Sequence, residues 1–245
     1  KVVVHDEEGF VQYLLEGQPE PPKYFAMMKK LNKIERPLLT EVPKHPKLSE
    51  TEFLQKYNDG IKVIDTRNKV EFANGFIPGS INIQNNKTLS TWAGWLLNYD
   101  EDFVIVAAEE EMDEITRKLM RIGLDRIAGF ISDVNLPGIE LQKADVIDIE
   151  EFKTYLGKEE VQIVDVRGKT EFEEGHVEGA ENVFVGTLPQ NLDKISKERE
   201  VIIHCQSGDR SAIAYSVLRR NGFSNVKNYS GGMKEWREKE NPVIS

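Results

Sequence analysis

The stretch Val201-Ile202-Ile203-His204-Cys205-Gln206-Ser207-Gly208-Asp209-Arg210-Ser211 joins a short apolar run to a helix-forming one, Ala212 to Arg220, and carries the one cysteine of the 245 residues. A strand that stops at a thiol, followed by a short loop and a helix start, aims unpaired backbone N–H groups and the positive end of a helix dipole at the sulfur. Gly208 permits the turn and Arg210 adds a permanent positive charge. Together they favour the thiolate, so Cys205 reads as a nucleophile rather than as the small buried residue that an isolated cysteine usually is.

Working outward, the chain repeats itself at a displacement of 100 residues. Asp65-Thr66-Arg67 falls on Asp165-Val166-Arg167, Glu71-Phe72 on Glu171-Phe172, and Gly75, Gly79 and Asn82 on Gly175, Gly179 and Asn182. A period of that length is a domain duplication rather than a solenoid. Each copy opens on a capped helix, with Ser49 and Glu52 or Asp148 and Glu151 as N-cap and N3 pairs. Short apolar strands follow, Val63-Ile64 and Phe103 to Ala107 in one copy, Ile163-Val164 and Val201 to His204 in the other. Apolar strands alternating with amphipathic helices predict an α/β fold, each copy a parallel sheet with helices on both faces. Sites in such folds lie beyond the carboxyl ends of the strands, where Cys205 falls.

Composition narrows the function. Lys and Arg total 32 against 42 Asp and Glu, a net charge of -10, which argues against nucleic acid and against anionic membrane surfaces as partners. No apolar run approaches the ~18 to 20 residues needed to span a bilayer, and no charged-then-apolar signal opens the chain. A reduced working thiol fits a cytoplasmic setting. His5, His45, His176 and His204 stand in no metal-ligand spacing, so no cofactor is expected within this chain.

The Cys205 loop resembles the active-site loop of the rhodanese sulfurtransferases. Val164-Asp165-Val166-Arg167 with Glu171-Phe172 and Gly175-His176-Val177-Glu178-Gly179-Ala180 is similar to that family's early signature, and Tyr229-Ser230-Gly231-Gly232-Met233-Lys234-Glu235-Trp236 to its closing strand-to-helix segment. The resemblance implies two tandem rhodanese-like domains, 47–139 inactive and 140–245 catalytic. Cys205 through Arg210 makes a six-residue cradle, Cys-x4-Arg, one residue shorter than the Cys-x5-Arg of related phosphatases, and the tighter ring suits a persulfide sulfur better than a phosphate. The implied chemistry is attack of Cys205 on thiosulfate or a small persulfide, then discharge of the Cys205 persulfide to sulfite, cyanide or a thiol. In that scheme Gln206, Ser207, Gly208, Asp209 and Ser211 line the substrate site, Ser211 as a donor or as a helix cap, and Arg210 orients the anion. With no resolving thiol in the chain, the acceptor comes from outside.

The first copy departs from the pattern at the decisive place. Aligned on the strand end, its loop reads Ala107-Ala108-Glu109-Glu110-Glu111-Met112, without nucleophile, glycine or arginine. Its expected role is scaffold or domain interface, or else docking of a partner through the acidic loop. Because Asp-x-Arg and Glu-Phe persist in this copy, Asp165, Arg167 and Glu171 are expected to form a structural charge network rather than to act on substrate. His176, which has Phe76 opposite it, reads as packing.

Residues 1–46 match neither copy. Glu7 to Leu15 reads as a helix with Phe10, Val11 and Leu14 on one face, Gln18-Pro19-Glu20-Pro21-Pro22 interrupts it, Lys23 to Asn32 reads as a second helix, and Pro37, Pro43 and Pro46 mark a linker. Two such helices need a partner surface. Glu20-Pro21-Pro22-Lys23-Tyr24-Phe25 with Met28-Lys29-Lys30-Leu31-Asn32 resembles the tail of the metallo-beta-lactamase-fold persulfide dioxygenases fused to tandem rhodanese modules. That resemblance implies a mononuclear iron on a preceding domain, whose HxHxDH pattern this sequence lacks, and a place in persulfide detoxification. The other reading is an arm that packs on its own modules or on a second subunit of a homo-oligomer. A pure binding scaffold and a cysteine phosphatase or arsenate reductase are the competing functions.

Overall fold

In the computed structural model, which describes residues 7–15, 21–35 and 40–245, the duplication appears as two parallel sheets. The first sheet takes β1 (Lys62–Asp65), β2 (Ile81–Asn82), β3 (Phe103–Val106) and β4 (Ile127–Ile131) in the order β2-β1-β3-β4. The second takes β5 (Val146–Ile147), β6 (Val161–Asp165), β7 (Ala180–Asn182), β8 (Glu200–His204) and β9 (Val226–Tyr229) in the order β5-β9-β8-β6-β7. The two central pairings are equivalent: Asp65 lies opposite Val106 as Asp165 lies opposite His204. Where β5 flanks β9, the first sheet has, among the described residues, a single bridge from Lys47 to Phe130.

Strand alternation divides the core. Ile64, Phe103 and Ile105 share one large buried cluster with Val164, Val201, Ile203 and Cys205, whereas Val63, Val104 and Val106 face a separate cluster of the first module and Ile163 and Ile202 one of the second. Side chains on a strand alternate between faces, so the two sheets turn one face toward each other and one away. Between them lie α5 (Leu89–Leu96), α6 (Met112–Met120) and α9 (Asp209–Arg220), with buried Ala93, Ile115, Leu119, Ile213 and Leu218 in the shared core. The outer faces are covered by Phe53 of α3 (Glu50–Asn58) in the first module and by Phe152 of α7 (Ile149–Lys153) and Trp236 of α10 (Gly232–Glu238) in the second. The shared core removes apolar surface from water at about 25 cal/mol per Å2, and so joins the modules as a hydrophobic interface does.

The expected caps form with one difference. At α3, Ser49 Oγ accepts from Glu52 N at 3.3 Å and Ser49 N donates to Glu52 Oε2 at 2.8 Å, a complete capping box. At α7 only half of it forms: Asp148 Oδ1 accepts from Glu151 N at 2.8 Å, while the Glu151 carboxylate takes the Tyr155 hydroxyl and the Lys227 ammonium. Two caps that the sequence reading did not name begin α4 (Lys69–Asn74) and α8 (Lys169–Glu173), where Glu71 and Glu171 accept from the backbone N–H of Asn68 and Gly168.

Of the opening helices, α2 (Lys23–Leu31) packs on the first module. Tyr24 and Met28 lie against the shared core, and Tyr24 presses so closely on Gly94 of α5 that a methyl group there would meet its ring at 2.4 Å. On α1 (Glu7–Leu15), Phe10 and Val11 are exposed, while the side chain of Leu14 lies outside the described residues, as do Gln18 to Glu20, His5 and Pro37. Among the described residues no helix is long and apolar enough to cross a membrane.

Candidate active site

Two segments enclose the end of β8. From β8 the chain passes Cys205 into a turn and then α9, whose first N–H groups have no carbonyl of their own helix to bond. Gly208 takes the left-handed conformation, φ 91°, as the N-cap of α9, and its N–H donates to Cys205 Sγ at 3.1 Å. A Cβ at this position would stand 2.6 Å from the carbonyl of Ser230, so both backbone shape and space require glycine. From the other side comes the turn into α10. Met233 N donates to the Cys205 carbonyl at 2.8 Å and Lys234 N to the Gln206 carbonyl at 2.9 Å, tying off the outward-facing carbonyls. Gly232, φ 62°, makes this approach possible, since a Cβ there would meet the Cys205 carbonyl at 2.4 Å.

Around this ring the named residues separate. Cys205 itself is buried, 1% exposed, on the face shared between the modules. Arg210 is bound through both terminal nitrogens to Glu171, at 2.5 Å and 2.8 Å. The arginine hydrogen bonds hold the Glu171 carboxyl below its ordinary range against the desolvation that opposes them. Burial works against the Arg210 charge, but the hydrogen bonds to Glu171 and the field of Cys205 raise its pKa. Ser211 is buried and its hydroxyl donates to the Gly208 carbonyl at 3.2 Å, so it neither caps α9 nor bonds the sulfur. Gln206 is half-buried and Ser207 exposed at the rim. Asp209 pairs with Lys69 of the first module, its Oδ1 2.8 Å from the Lys69 ammonium.

The expected network of Asp165, Arg167 and Glu171 divides in two. Arg167 is fully buried, donates to Asp165 Oδ1 at 3.0 Å and to Asp165 Oδ2 at 2.6 Å, and reaches the Gly175 carbonyl at 2.9 Å. Arg67 makes the same clasp on Asp65 and the Gly75 carbonyl, at 2.6 Å and 2.9 Å. Asn82 and Asn182 each bridge the carbonyls of their Asp and Arg at 3.0 Å and 2.9 Å. Glu171 is the exception: it leaves the clasp and reaches the cradle through Arg210, because only the second module offers an arginine there. His176 stacks on Phe172 with centroids 3.7 Å apart, as Phe76 stacks on Phe72 at 4.4 Å. In the first module Ala107 sits in the core and Glu109–Glu111 wind into a single 3-10 turn with no glycine. Two of those acids have partners, Glu109 in Lys47 and Glu111 in Asn85.

Two matches of the rhodanese-like domain model cover residues 49–131 and 148–239, one on each sheet. The chain belongs to the rhodanese-like domain family. With two rhodanese-like modules, the chain is 39% identical over 87 residues to the uncharacterized protein YqhL of Bacillus subtilis, spanning 36% of this chain and 68% of that one. It is 32% identical over 91 residues to the thiosulfate sulfurtransferase GlpE of Tolumonas auensis, spanning 37% of this chain and 86% of that one. Among solved structures, a metallo-beta-lactamase from Staphylococcus aureus is 30% identical over 52% of this chain and 35% of its own length, with a TM-score of 0.44. The second rhodanese-like module holds the thiol cradle, and the first keeps the surrounding clasp without it.

What the sequence reading missed is the closure from Gly232 and the approach of Lys69. The Ser230-Gly231-Gly232 run was a usable signal for the first, since paired glycines after a strand mark a close backbone approach. Lys69 has none: its counterpart Lys169 is exposed and pairs with Glu173 on its own helix.

Proposed function

We propose that the chain is a sulfurtransferase that carries sulfane sulfur on Cys205. The observation that carries this reading is the Gly208 N–H on Cys205 Sγ at the start of α9, within a six-residue turn that ends at Arg210. The Cys205 thiolate attacks the outer sulfur of thiosulfate. A Cys205–sulfur bond forms, the bond from that sulfur to the sulfonate breaks, and sulfite departs with the electron pair. An acceptor such as sulfite, cyanide or a small thiolate then attacks the terminal sulfur and releases the Cys205 thiolate. Neither half-reaction changes the total charge, so the task of the site is to hold negative charge in place. Backbone N–H groups and the helix dipole do so without rearranging. Arg210, oriented by Glu171, adds its charge beside the sulfur. Asp165 and Arg167 hold the end of β6, and with it the turn to α8 that presents Glu171.

The physiological donor we infer is thiosulfate or a small persulfide, in a protein that disposes of persulfide sulfur. The 20–32 segment, similar to the tail of persulfide dioxygenases, supports a parent chain with such a domain in front. The iron implied there belongs to that domain. Among the described residues no three His, Cys, Asp or Glu side chains gather as a metal site requires.

Intact-mass spectrometry after thiosulfate, and separately after a small-thiol persulfide, tests the reading. We expect a gain of about 32 Da that sulfite or cyanide discharges and that Cys205→Ser abolishes. No gain in a folded protein with either donor would sink the sulfurtransferase reading.

A further inference from the structure

The charges at the mouth of the Cys205 cradle do not balance within their own module. Arg210 supplies one positive charge, and Glu171 meets it through two hydrogen bonds. Asp209, the first residue of α9, adds a second negative charge, and among the described residues its salt bridge is to Lys69 rather than to a basic group of its own module. Taken alone, the catalytic module would present one cation against two anions to any incoming sulfur anion. The missing cation comes from the other module. Lys69 Nζ lies 2.8 Å from Asp209 Oδ1, donates to the Ser207 carbonyl, and sits 3.0 Å from where a Cβ of Gly208 would be, beside the residue whose N–H holds the sulfur. Lys69 and Asp209 side chains are 31% and 44% exposed, so the pair is at the lip, where a solute from outside meets it.

The reach of Lys69 follows from how the modules meet. Beyond the cradle, Ser216 of α9 accepts from Asn82 N of β2 at 3.0 Å, and Arg220 donates to the Gly79 carbonyl at 2.6 Å. The helix that carries the cradle is thereby held along its length by the first module, and α4 is brought to its start. We propose that Lys69, on the module without a nucleophile, is a specificity-determining residue of the Cys205 site, which cancels the Asp209 charge and thereby admits anionic sulfur compounds. The proposal deepens the sulfurtransferase reading and gives the first module a part in it: a counter-charge delivered across the interface.

The test reads the local field at Cys205 and does not depend on sulfur transfer. Rates of Cys205 alkylation by anionic iodoacetate and neutral iodoacetamide are compared in the full chain, and their ratio is followed through Lys69→Met, Lys69→Arg, Asp209→Asn and Lys69→Met with Asp209→Asn. We expect the iodoacetate-to-iodoacetamide ratio to fall about 3- to 10-fold in Lys69→Met, as the loss of one half-exposed charge near the sulfur implies. Lys69→Arg should keep it within about twofold. Asp209→Asn should raise it, and in the Lys69→Met background should restore it to the original value. A tether that only holds the modules together would slow both reagents alike, and Asp209→Asn would not restore it. Equal ratios in Lys69→Met and the original chain, no rescue by Asp209→Asn, or no reaction of Cys205 with either reagent overturns the proposal. Sulfur loading of the unaltered chain, measured alongside, fails separately if the sulfurtransferase reading is at fault.

Discussion

The two modules make the same clasp and differ in what they enclose. In both, an aspartate at the end of a central strand binds an arginine two residues on, that arginine reaches a glycine carbonyl at 2.9 Å, and an asparagine ties the two carbonyls together. In one module the neighbouring strand then runs into a glycine turn around a thiol, and in the other into three glutamates and a 3-10 turn. Geometry that persists without the thiol belongs to the fold. A buried arginine is costly unless paired, and pairing it to the strand end fixes the turn that follows. The additions of the second module are then few: Cys205, Gly208, Arg210, and the diversion of Glu171 from a helix cap alone to a cap that also grips Arg210.

The contrast is most exposed at Gly208, which has no counterpart in the first module. Gly208→Ala places a methyl group against the Ser230 carbonyl and asks a β-carbon to adopt φ 91°. Displacing the N–H from the sulfur should lower persulfide formation by about 100-fold, with stability reduced by about 1–2 kcal/mol. Stopped-flow loading and thermal unfolding read the two effects; unchanged loading would place the sulfur donor elsewhere.

A smaller effect separates the paired glutamates. Glu171→Gln removes the carboxylate from Arg210 and should lower the kcat/KM of transfer about 10-fold, whereas Glu71→Gln weakens only a cap, by about 0.3–1 kcal/mol, and leaves transfer intact. Acid titration sharpens the point. Because Arg210 holds the Glu171 carboxyl below its ordinary 4.5, the contribution of the pair to stability is full above pH 4.5 and is lost as pH falls through the lowered value. Glu171→Gln should therefore flatten that part of the acid unfolding profile, and an unchanged profile would show the pair contributes nothing. The smallest effect belongs to His176→Phe, which copies the Phe72–Phe76 stack into the second module. Transfer rates should stay within about twofold, and a larger loss would mean His176 handles a proton.

Much of this was legible in the residues. The 100-residue displacement identified the duplication, the short apolar strands marked the parallel sheets, and Cys205, Gly208 and Arg210 declared themselves by local spacing. That Asp165 and Arg167 belong to one charge network was the expectation from their survival in both copies, and its further contacts, the Gly175 carbonyl and Asn182, come from the fold. Glu171 was harder. In sequence it is a copy of Glu71, and only the presence of an arginine 39 residues further on gives it a second role. Ser211 was open between donor and cap, and its buried hydroxyl donates to the Gly208 carbonyl of its own loop.

The sequence by itself determined the repeat, which shows as the same residues 100 positions apart, and the strand and helix order and the Cys205 turn, which depend on residues within a turn or two of one another. Tertiary structure alone decided that the faces carrying Ile64 and Ile203 share one core, that Gly232 closes the ring from α10, and that Lys69 rather than Lys169 stands at Asp209. Equivalent residues in a duplicated chain share their local chemistry, but their neighbours across an interface depend on how the two copies pack, and that packing is set by the whole of both apolar faces at once.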